Sequence, residues 1–144
     1  MKVEINSVRS IAEEHAVINA VSITEEIQNA IDILENNSKV IPVSKDGETV
    51  MCKTDGIYYI ESVDKKTFVY TKDNCFETKL RLYELEETLS KNFVRCAKAM
   101  IVNVRKINSV KSGINGRMTA ELLNKEQIVI ARSYVKDLKG RLGV

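Results

Sequence analysis

Apolar and polar residues follow two different rhythms along this chain, and the change falls near residue 38. From Lys39 onward, short apolar runs are separated by polar turn residues, the pattern of successive β-strands. Val40 to Ser44 precedes the turn Asp46-Gly47, and Thr49 to Lys53 precedes Asp55-Gly56. Ile57-Tyr58-Tyr59-Ile60-Glu61 runs to Asp64-Lys65-Lys66. Thr67 to Thr71 and, after Asp73-Asn74, Cys75 to Thr78 are the natural partners of that strand. Pro42, the sole proline, predicts an edge or strand-start position because it has no N–H to give to a ladder. Arg81 to Ser90 reads as a short helix with Leu82, Leu85 and Leu89 on one face. Strands resume at Phe93 to Cys96 and at the buried-looking run Met100-Ile101-Val102. Ile107 to Lys111 and Arg117 to Leu123 flank Asn115-Gly116, a strong hairpin signal. Gln127 to Ala131 follows the turn Asn124-Lys125. The chain closes with a helix striped by Val135, Leu138 and Leu142, for which Ser133 is the expected N-cap. Arg132, Lys136 and Lys139 lie on or beside its opposite face.

The first 38 residues read as an appendage. Val3 and Ile5 alternate with polar residues in a strand pattern, and Ala16 to Val21 is a second short apolar run. The period of Arg9 to Val21 fits a helix equally well. A helix follows, with Ser22 three residues before Glu25 as a capping box and Glu25 and Glu26 in the first turn. Ile27, Ala30, Ile31 and Leu34 form its apolar stripe, and Asn36-Asn37-Ser38 ends it.

With 144 residues there is room for one domain and a small appendage. No apolar run approaches the ~20 residues that span a bilayer, and the N-terminus lacks the apolar core of a signal peptide. A cytoplasmic protein is the expectation. The net charge of +2 conceals an asymmetry: residues 1–90 carry 10 basic and 17 acidic side chains, whereas residues 91–144 carry 12 and 3. A balance of −7 against +9 points the C-terminal part at a polyanion.

Catalysis finds few of its parts. His15, the one histidine, sits beside Glu13 and Glu14 with no nucleophile motif nearby. The six glycines form no phosphate loop, and the acidic residues show no metal-ligand spacing. Cys52, Cys75 and Cys96 are odd in number and include no C-x-x-C pair, which argues against both disulfides and zinc. They read as small, partly buried hydrophobes in strands. Neither an enzyme nor a cofactor is expected. The basic residues at turns are more informative: Lys65 and Lys66 between two strands, Lys98 between Phe93–Cys96 and Met100–Val102, and Arg132 where the last strand meets the last helix. Phosphate needs point charges in such places and guanine needs the bidentate fork of arginine. Backbone N–H groups following Ser133 can also face a phosphate. There is no helix-turn-helix pair and no zinc-finger spacing.

Four segments then resemble a known family in order and spacing. They are Asp55-Gly56-Ile57-Tyr58-Tyr59-Ile60-Glu61-Ser62, Leu82-Tyr83-Glu84-Leu85-Glu86 with Leu89, Phe93 to Asn103 with Ile107, and Ile130-Ala131-Arg132-Ser133-Tyr134 with Leu138. Together they make residues from about Lys39 to Leu142 similar to the LytTR-type DNA-binding domain of bacterial regulators. The resemblance implies an α+β, predominantly β fold of small antiparallel sheets with short helices, here preceded by a strand-strand-helix extension over 1–38. It implies loops on one edge that enter successive major grooves of a repeated double-stranded DNA site. By position, Lys98, Arg132 and Thr67 are the expected base contacts, and Lys65, Lys66, Arg95, Lys136 and Ser133 the expected phosphate contacts; Arg95 also suits a brace, and Asn103 a turn. Thr67 stands near a place where many members carry histidine, and Ala97 where many carry a basic or polar residue, so base preference is expected to differ. Thirty-eight residues cannot form the receiver domain of many members, and the chain looks like the short stand-alone ones, often thought to answer to a membrane-protein regulator.

The expected function is therefore a sequence-specific DNA-binding regulator of transcription. A rival reading makes residues 1–38 a homodimer or partner surface through the stripe Ile27, Ala30, Ile31 and Leu34, with only non-specific nucleic-acid affinity in the rest. The bland alternative packs that stripe on the β domain. A third reading, single-stranded RNA stacked on Tyr58, Tyr59, Phe68 and Tyr70, competes with a simple core role for those aromatics.

Overall fold

The computed structural model describes residues 1–36 and 39–144. The end of the first helix at Asn37-Ser38 lies outside the described residues. Helix α1 spans Glu25–Asn36. Among the described residues ten strands follow: β1 Val40–Lys45, β2 Glu48–Lys53, β3 Ile57–Val63, β4 Lys66–Thr71, β5 Cys75–Thr78, β6 Phe93–Ala97, β7 Met100–Asn103, β8 Ile107–Ser112, β9 Met118–Leu122 and β10 Gln127–Ile130. Helix α2, Leu82–Thr88, lies between β5 and β6, and α3, Val135–Leu142, follows β10. One sheet has the order β2-β1-β5-β4-β3-β7-β6 and the second β10-β9-β8, and every pairing is antiparallel. The α+β, predominantly β expectation is met.

The seven-stranded sheet forms a middle layer with a core on each face. Ile57, Ile60, Val69 and Ile101 pack with Leu82 and Leu85 of α2, with Leu89 just after it, and with Ile41 and Val43 of β1. Tyr58, Cys96 and Val102 pack on the other face with Ala120, Leu122, Ile128, Ile130 and Leu138 of α3. This explains why β3 and β7 read as continuous apolar runs: strands covered on both faces have no polar side to show. Leu82, Leu85 and the C-cap Leu89 are buried as their spacing requires, and Leu138 is fully buried in α3.

Several local expectations are corrected. Residues 1–24 contain no strand, only a 3-10 turn at Ile11–Glu13. An alternating pattern makes a strand only where an edge accepts it, and none lies beside Val3 and Ile5. The cap of α1 is Thr24, whose Oγ1 accepts from the Ile27 N–H at 3.3 Å, rather than Ser22. Ser133 caps nothing: a 3-10 turn at Arg132–Tyr134 comes first and α3 starts at Val135. Pro42 is not on an edge strand, since β1 lies between β2 and β5. Yet β1 meets β5 only at Ser44 opposite Glu77, so at Pro42 there is no ladder on that side, and its carbonyl accepts the Thr78 hydroxyl at 3.0 Å instead. Cys75 is exposed, unlike Cys52 and Cys96.

Helix α1 docks by its polar side. Arg105, in the turn after β7, pairs with the buried carboxylate of Asp32 and donates to Asn29 Oδ1 at 3.2 Å. Gln28 donates to Asp32 at 2.9 Å. Burial pushes the Asp32 carboxyl up, but the hydrogen bonds from Arg105 and Gln28 and the charge of Arg105 outweigh it and hold the group below the usual carboxylate range. The stripe opposite remains partly open: Ile31 is half-buried and Leu34 exposed.

Candidate nucleic-acid interface

Three connections carry the cations singled out in the sequence, and the strand pairing brings them to one end of the molecule. The β3–β4 turn is two residues long, Asp64-Lys65, closed by Val63 opposite Lys66. Both turn residues have positive φ, 50° and 66°, as the twist-matched tight hairpin requires. The β6–β7 turn is Lys98-Ala99, closed by Ala97 opposite Met100. Because β3 pairs with β7, with Glu61 opposite Met100 and the Ser62 N–H donating to the Ala99 carbonyl at 2.8 Å, the two turns lie at the same end. With strands ~4.8 Å apart and the order β4-β3-β7-β6, their centres are roughly 10 Å apart. The Ala131 N–H then donates to the Cys96 carbonyl at 2.9 Å, tying the end of β10 to the outer edge of β6. Arg132, the next residue, therefore emerges at the same end.

Each connection is held from below. Arg81 Nη1 donates to the Lys65 carbonyl at 2.9 Å. Arg95 Nη1 donates to the Lys98 carbonyl at 2.5 Å while its Nη2 pairs with Glu86 of α2 at 2.8 Å. Arg132 runs across the β8–β9 hairpin, where a Cβ at Gly116 would stand 3.0 Å from Arg132 Cγ and 3.1 Å from Cδ. The hairpin signal Asn115-Gly116 is thus also the shelf for Arg132; both residues have positive φ. A hollow of about 350 Å³ beside the β3–β4 turn adds Lys79 and Arg81 to Lys65, with Glu77 on its wall.

Lys65, Lys66, Lys98, Arg132, Ser133 and Lys136 are all exposed. Thr67 is not: it is 3 % exposed, so its expected base contact is corrected to a packing role. It lies on the same face of β4 as fully buried Val69, two residues on. Arg95 is corrected in the same way, from phosphate contact to brace, because both guanidinium ends are engaged within the protein. Sequence reasoning missed Arg81 and Lys79. The only local hint was Arg81 at the start of α2 with Glu84 three residues on, whose carboxylate accepts the Arg81 N–H at 3.2 Å. Asn103 holds its turn as expected: its Nδ2 donates to the Ile57 carbonyl at 2.9 Å and its Oδ1 accepts from the Arg105 N–H at 3.1 Å.

The aromatics are not a free stacking platform. Tyr58 is buried, with Lys106 Nζ 5.4 Å from its ring centre, and Tyr59 stacks on Tyr70 with centroids 4.3 Å apart. His15 is exposed and its Nδ1 donates to the Glu13 carbonyl at 2.9 Å. Among the described residues no helix is long and apolar enough to cross a membrane.

The decisive comparison is with protein families: the signature described as "LytTr DNA-binding domain" matches residues 47–143. The chain belongs to the LytTR family. The match begins inside the β1–β2 turn, although β1 is already part of the sheet. A solved structure, the LytTr DNA-binding domain of a putative methyl-accepting/DNA response regulator from Bacillus cereus, is 26% identical and superposes with a TM-score of 0.70. It covers 74% of this chain and 99% of its own. A Staphylococcus aureus protein (strain NCTC 8325 / PS 47) named an uncharacterized HTH-type transcriptional regulator is 27% identical over 129 residues, covering 90% of this chain and 80% of the relative. Its counterpart in strain MRSA252 is 26% identical over the same length. In this LytTR chain the three α-helices are separated by strands, so no two described helices are consecutive as in a helix-turn-helix.

Proposed function

We propose that this LytTR protein is a transcriptional regulator that recognises specific double-stranded DNA, with Lys98 and Arg132 reading base edges in the major groove. The observation that carries the reading is the convergence of the β3–β4 turn, the β6–β7 turn and the β10–α3 connection at one end of the sheets, each fixed by a hydrogen bond or a close packing contact. Turns separated by roughly 10 Å suit a groove about 12 Å wide. Rigid presentation matters because base discrimination depends on donor placement, whereas phosphate affinity does not. Lys65, Lys66 and Lys136 take phosphates beside the groove, and Ser133, with the backbone N–H groups that follow it, joins them. The C-terminal excess of positive charge steers the encounter. Residues 39–144 form the DNA-binding unit, and residues 1–38 serve a separate role. The names of the staphylococcal relatives support the regulatory part of the reading.

The test is selection from random duplex DNA over several rounds, at two salt concentrations, read by sequencing. Enrichment of a repeated motif is expected at both. Binding that enriches nothing would reduce the basic end to an electrostatic surface, and no binding at low salt would refute the proposal.

A further inference from the structure

Glu86 stands where electrostatics alone would not put a carboxylate. Its side chain is 43 % exposed, and only the Arg95 guanidinium separates it from the Lys98 carbonyl of the β6–β7 turn. A negative charge at the edge of a phosphate-binding surface weakens every duplex alike. Stability does not explain it either, since a pair this open to solvent adds little to a fold. What the carboxylate does is aim a guanidinium.

The β6–β7 turn needs that hold. The pairing of β6 with β7 shifts register between Arg95 and Ala97, so the ladder is interrupted just before Lys98-Ala99. Arg95 spans the interruption: Nη1 donates to the Lys98 carbonyl at 2.5 Å and Nη2 to Glu86 Oε2 at 2.8 Å. Its Nε is buried with no hydrogen-bond partner among the described residues, so only the two ends of the fork orient it. The guanidinium is planar and rigid, and fixing one Nη therefore aims the other. Glu86 is itself well anchored. Leu82 and Leu85 of α2 are buried, the Arg81 N–H donates to Glu84 at 3.2 Å, and the Thr88 hydroxyl donates to the Glu84 carbonyl at 3.0 Å. From the entrance of the same helix, Arg81 Nη1 reaches the Lys65 carbonyl at 2.9 Å, so one helix steadies both turns.

We propose that Glu86 is a positioning residue that determines specificity: it touches no DNA, and through Arg95 it sets where the β6–β7 turn presents Lys98 to base edges. The same pairing has a second effect. While Arg95 Nη2 is held by Glu86 it is kept from phosphate, so a contact that would strengthen every sequence is withheld in favour of one that distinguishes them. This inference rests on the DNA reading above and assigns part of the discrimination to a side chain whose charge opposes DNA binding.

Fluorescence anisotropy of the full chain on the selected duplex and on a scrambled one, with melting followed in parallel, tests it through the ratio of the two dissociation constants. Glu86→Ala should weaken the selected duplex at least about fivefold, while the scrambled duplex binds as tightly as before or more so and melting stays close to the wild type. Loss of charge alone would tighten both duplexes, so the direction of change on the selected one separates position from charge. Glu86→Gln lacks the charge but keeps an oxygen for Arg95, and it should recover most of the ratio. Glu87→Ala removes the neighbouring exposed carboxylate and should leave the ratio as in the wild type. In a Lys98→Ala background, Glu86→Ala should change the ratio by less than about twofold, because the contact it positions is already gone. A wild-type ratio in Glu86→Ala overturns the proposal, as does an equal loss on both duplexes or an undiminished loss in the Lys98→Ala background. A wild type that does not distinguish the two duplexes overturns the DNA reading and this proposal with it.

Discussion

Gly116 offers a way to test the placement of Arg132 without touching Arg132. Its φ is +77°, and a Cβ built on it would stand 3.0 to 3.3 Å from Arg132 Cγ, Cδ and Nε. Gly116→Ala thus imposes two separable effects. Holding an L-residue in the left-handed region costs roughly 1–2 kcal/mol. For a chain of this size, that lowers the melting temperature by about 2–8 °C. The new methyl also displaces the exposed Arg132 side chain, which costs little stability because its far end is free to move. The consequence for DNA is larger: a fork moved off its groove loses part of the ~1–3 kcal/mol of a bidentate contact. Gly116→Asn separates the two effects, since asparagine tolerates positive φ but brings the same Cβ. The two variants are expected to differ in melting and to agree in weakened binding to the selected duplex. Gly140→Ala in α3 meets open space, and it should stabilise the chain by up to ~1 kcal/mol without affecting DNA. Urea unfolding and fluorescence anisotropy on one duplex measure all three. Wild-type DNA affinity in both Gly116 variants would refute the placement of Arg132 at the interface.

Other consequences of the structure are equally open to measurement. Asn103→Ala leaves the Ile57 carbonyl and the Arg105 N–H without their partner in a buried site and should cost about 1–3 kcal/mol in urea unfolding; a loss under about half a kcal/mol would contradict its role. Because the folded state lowers the Asp32 pKa, the docking of α1 is fully stabilised above the ordinary carboxylate value near 4 and is lost as pH falls through the lowered value. Protection of the α1 amides, taken relative to their intrinsic exchange at each pH, should be steady from neutrality to about pH 5 and fall below about pH 4, and Arg105→Ala should lower it at every pH. Protection unchanged at pH 3 or in that variant would contradict the pairing. Of the three cysteines, Cys75 alone is expected to react quickly with a thiol reagent in the native protein, since burial pushes the Cys52 thiol up and the Cys96 thiol up to about 12. Fast labelling of Cys96 would show that the second core opens more easily than its packing allows.

The features legible in the sequence are those that short-range spacing decides. The leucines of α2, the hairpin at Asn115-Gly116 and the apolar runs of β3 and β7 needed only periodicity and turn chemistry. Thr67 should have been legible too, since its parity with Val69 puts it inside. The braces were not, because Arg95 reaches Glu86 on another element and Arg81 reaches a carbonyl 16 residues away. Nor was the docking of α1: its amphipathic pattern advertised Ile27, Ile31 and Leu34, whereas a single long-range pair, Arg105 with Asp32, chose the polar side. Val3 and Ile5 fail for a related reason, since a strand pattern says nothing about whether an edge is waiting for it. The cap at Thr24 rather than Ser22 depends on where the chain enters the helix, a choice the two hydroxyls leave open.

Arg132→Ala, Lys98→Ala and Lys65→Ala, titrated on the selected duplex and on a scrambled one across a salt series, test groove reading most directly. Arg132→Ala and Lys98→Ala should weaken the selected site by about 1–3 kcal/mol and leave the scrambled one nearly unchanged. Lys65→Ala should weaken both alike and reduce the salt slope by about one unit. Equal losses on both duplexes for all three variants would mean that this end of the molecule grips phosphate without reading bases.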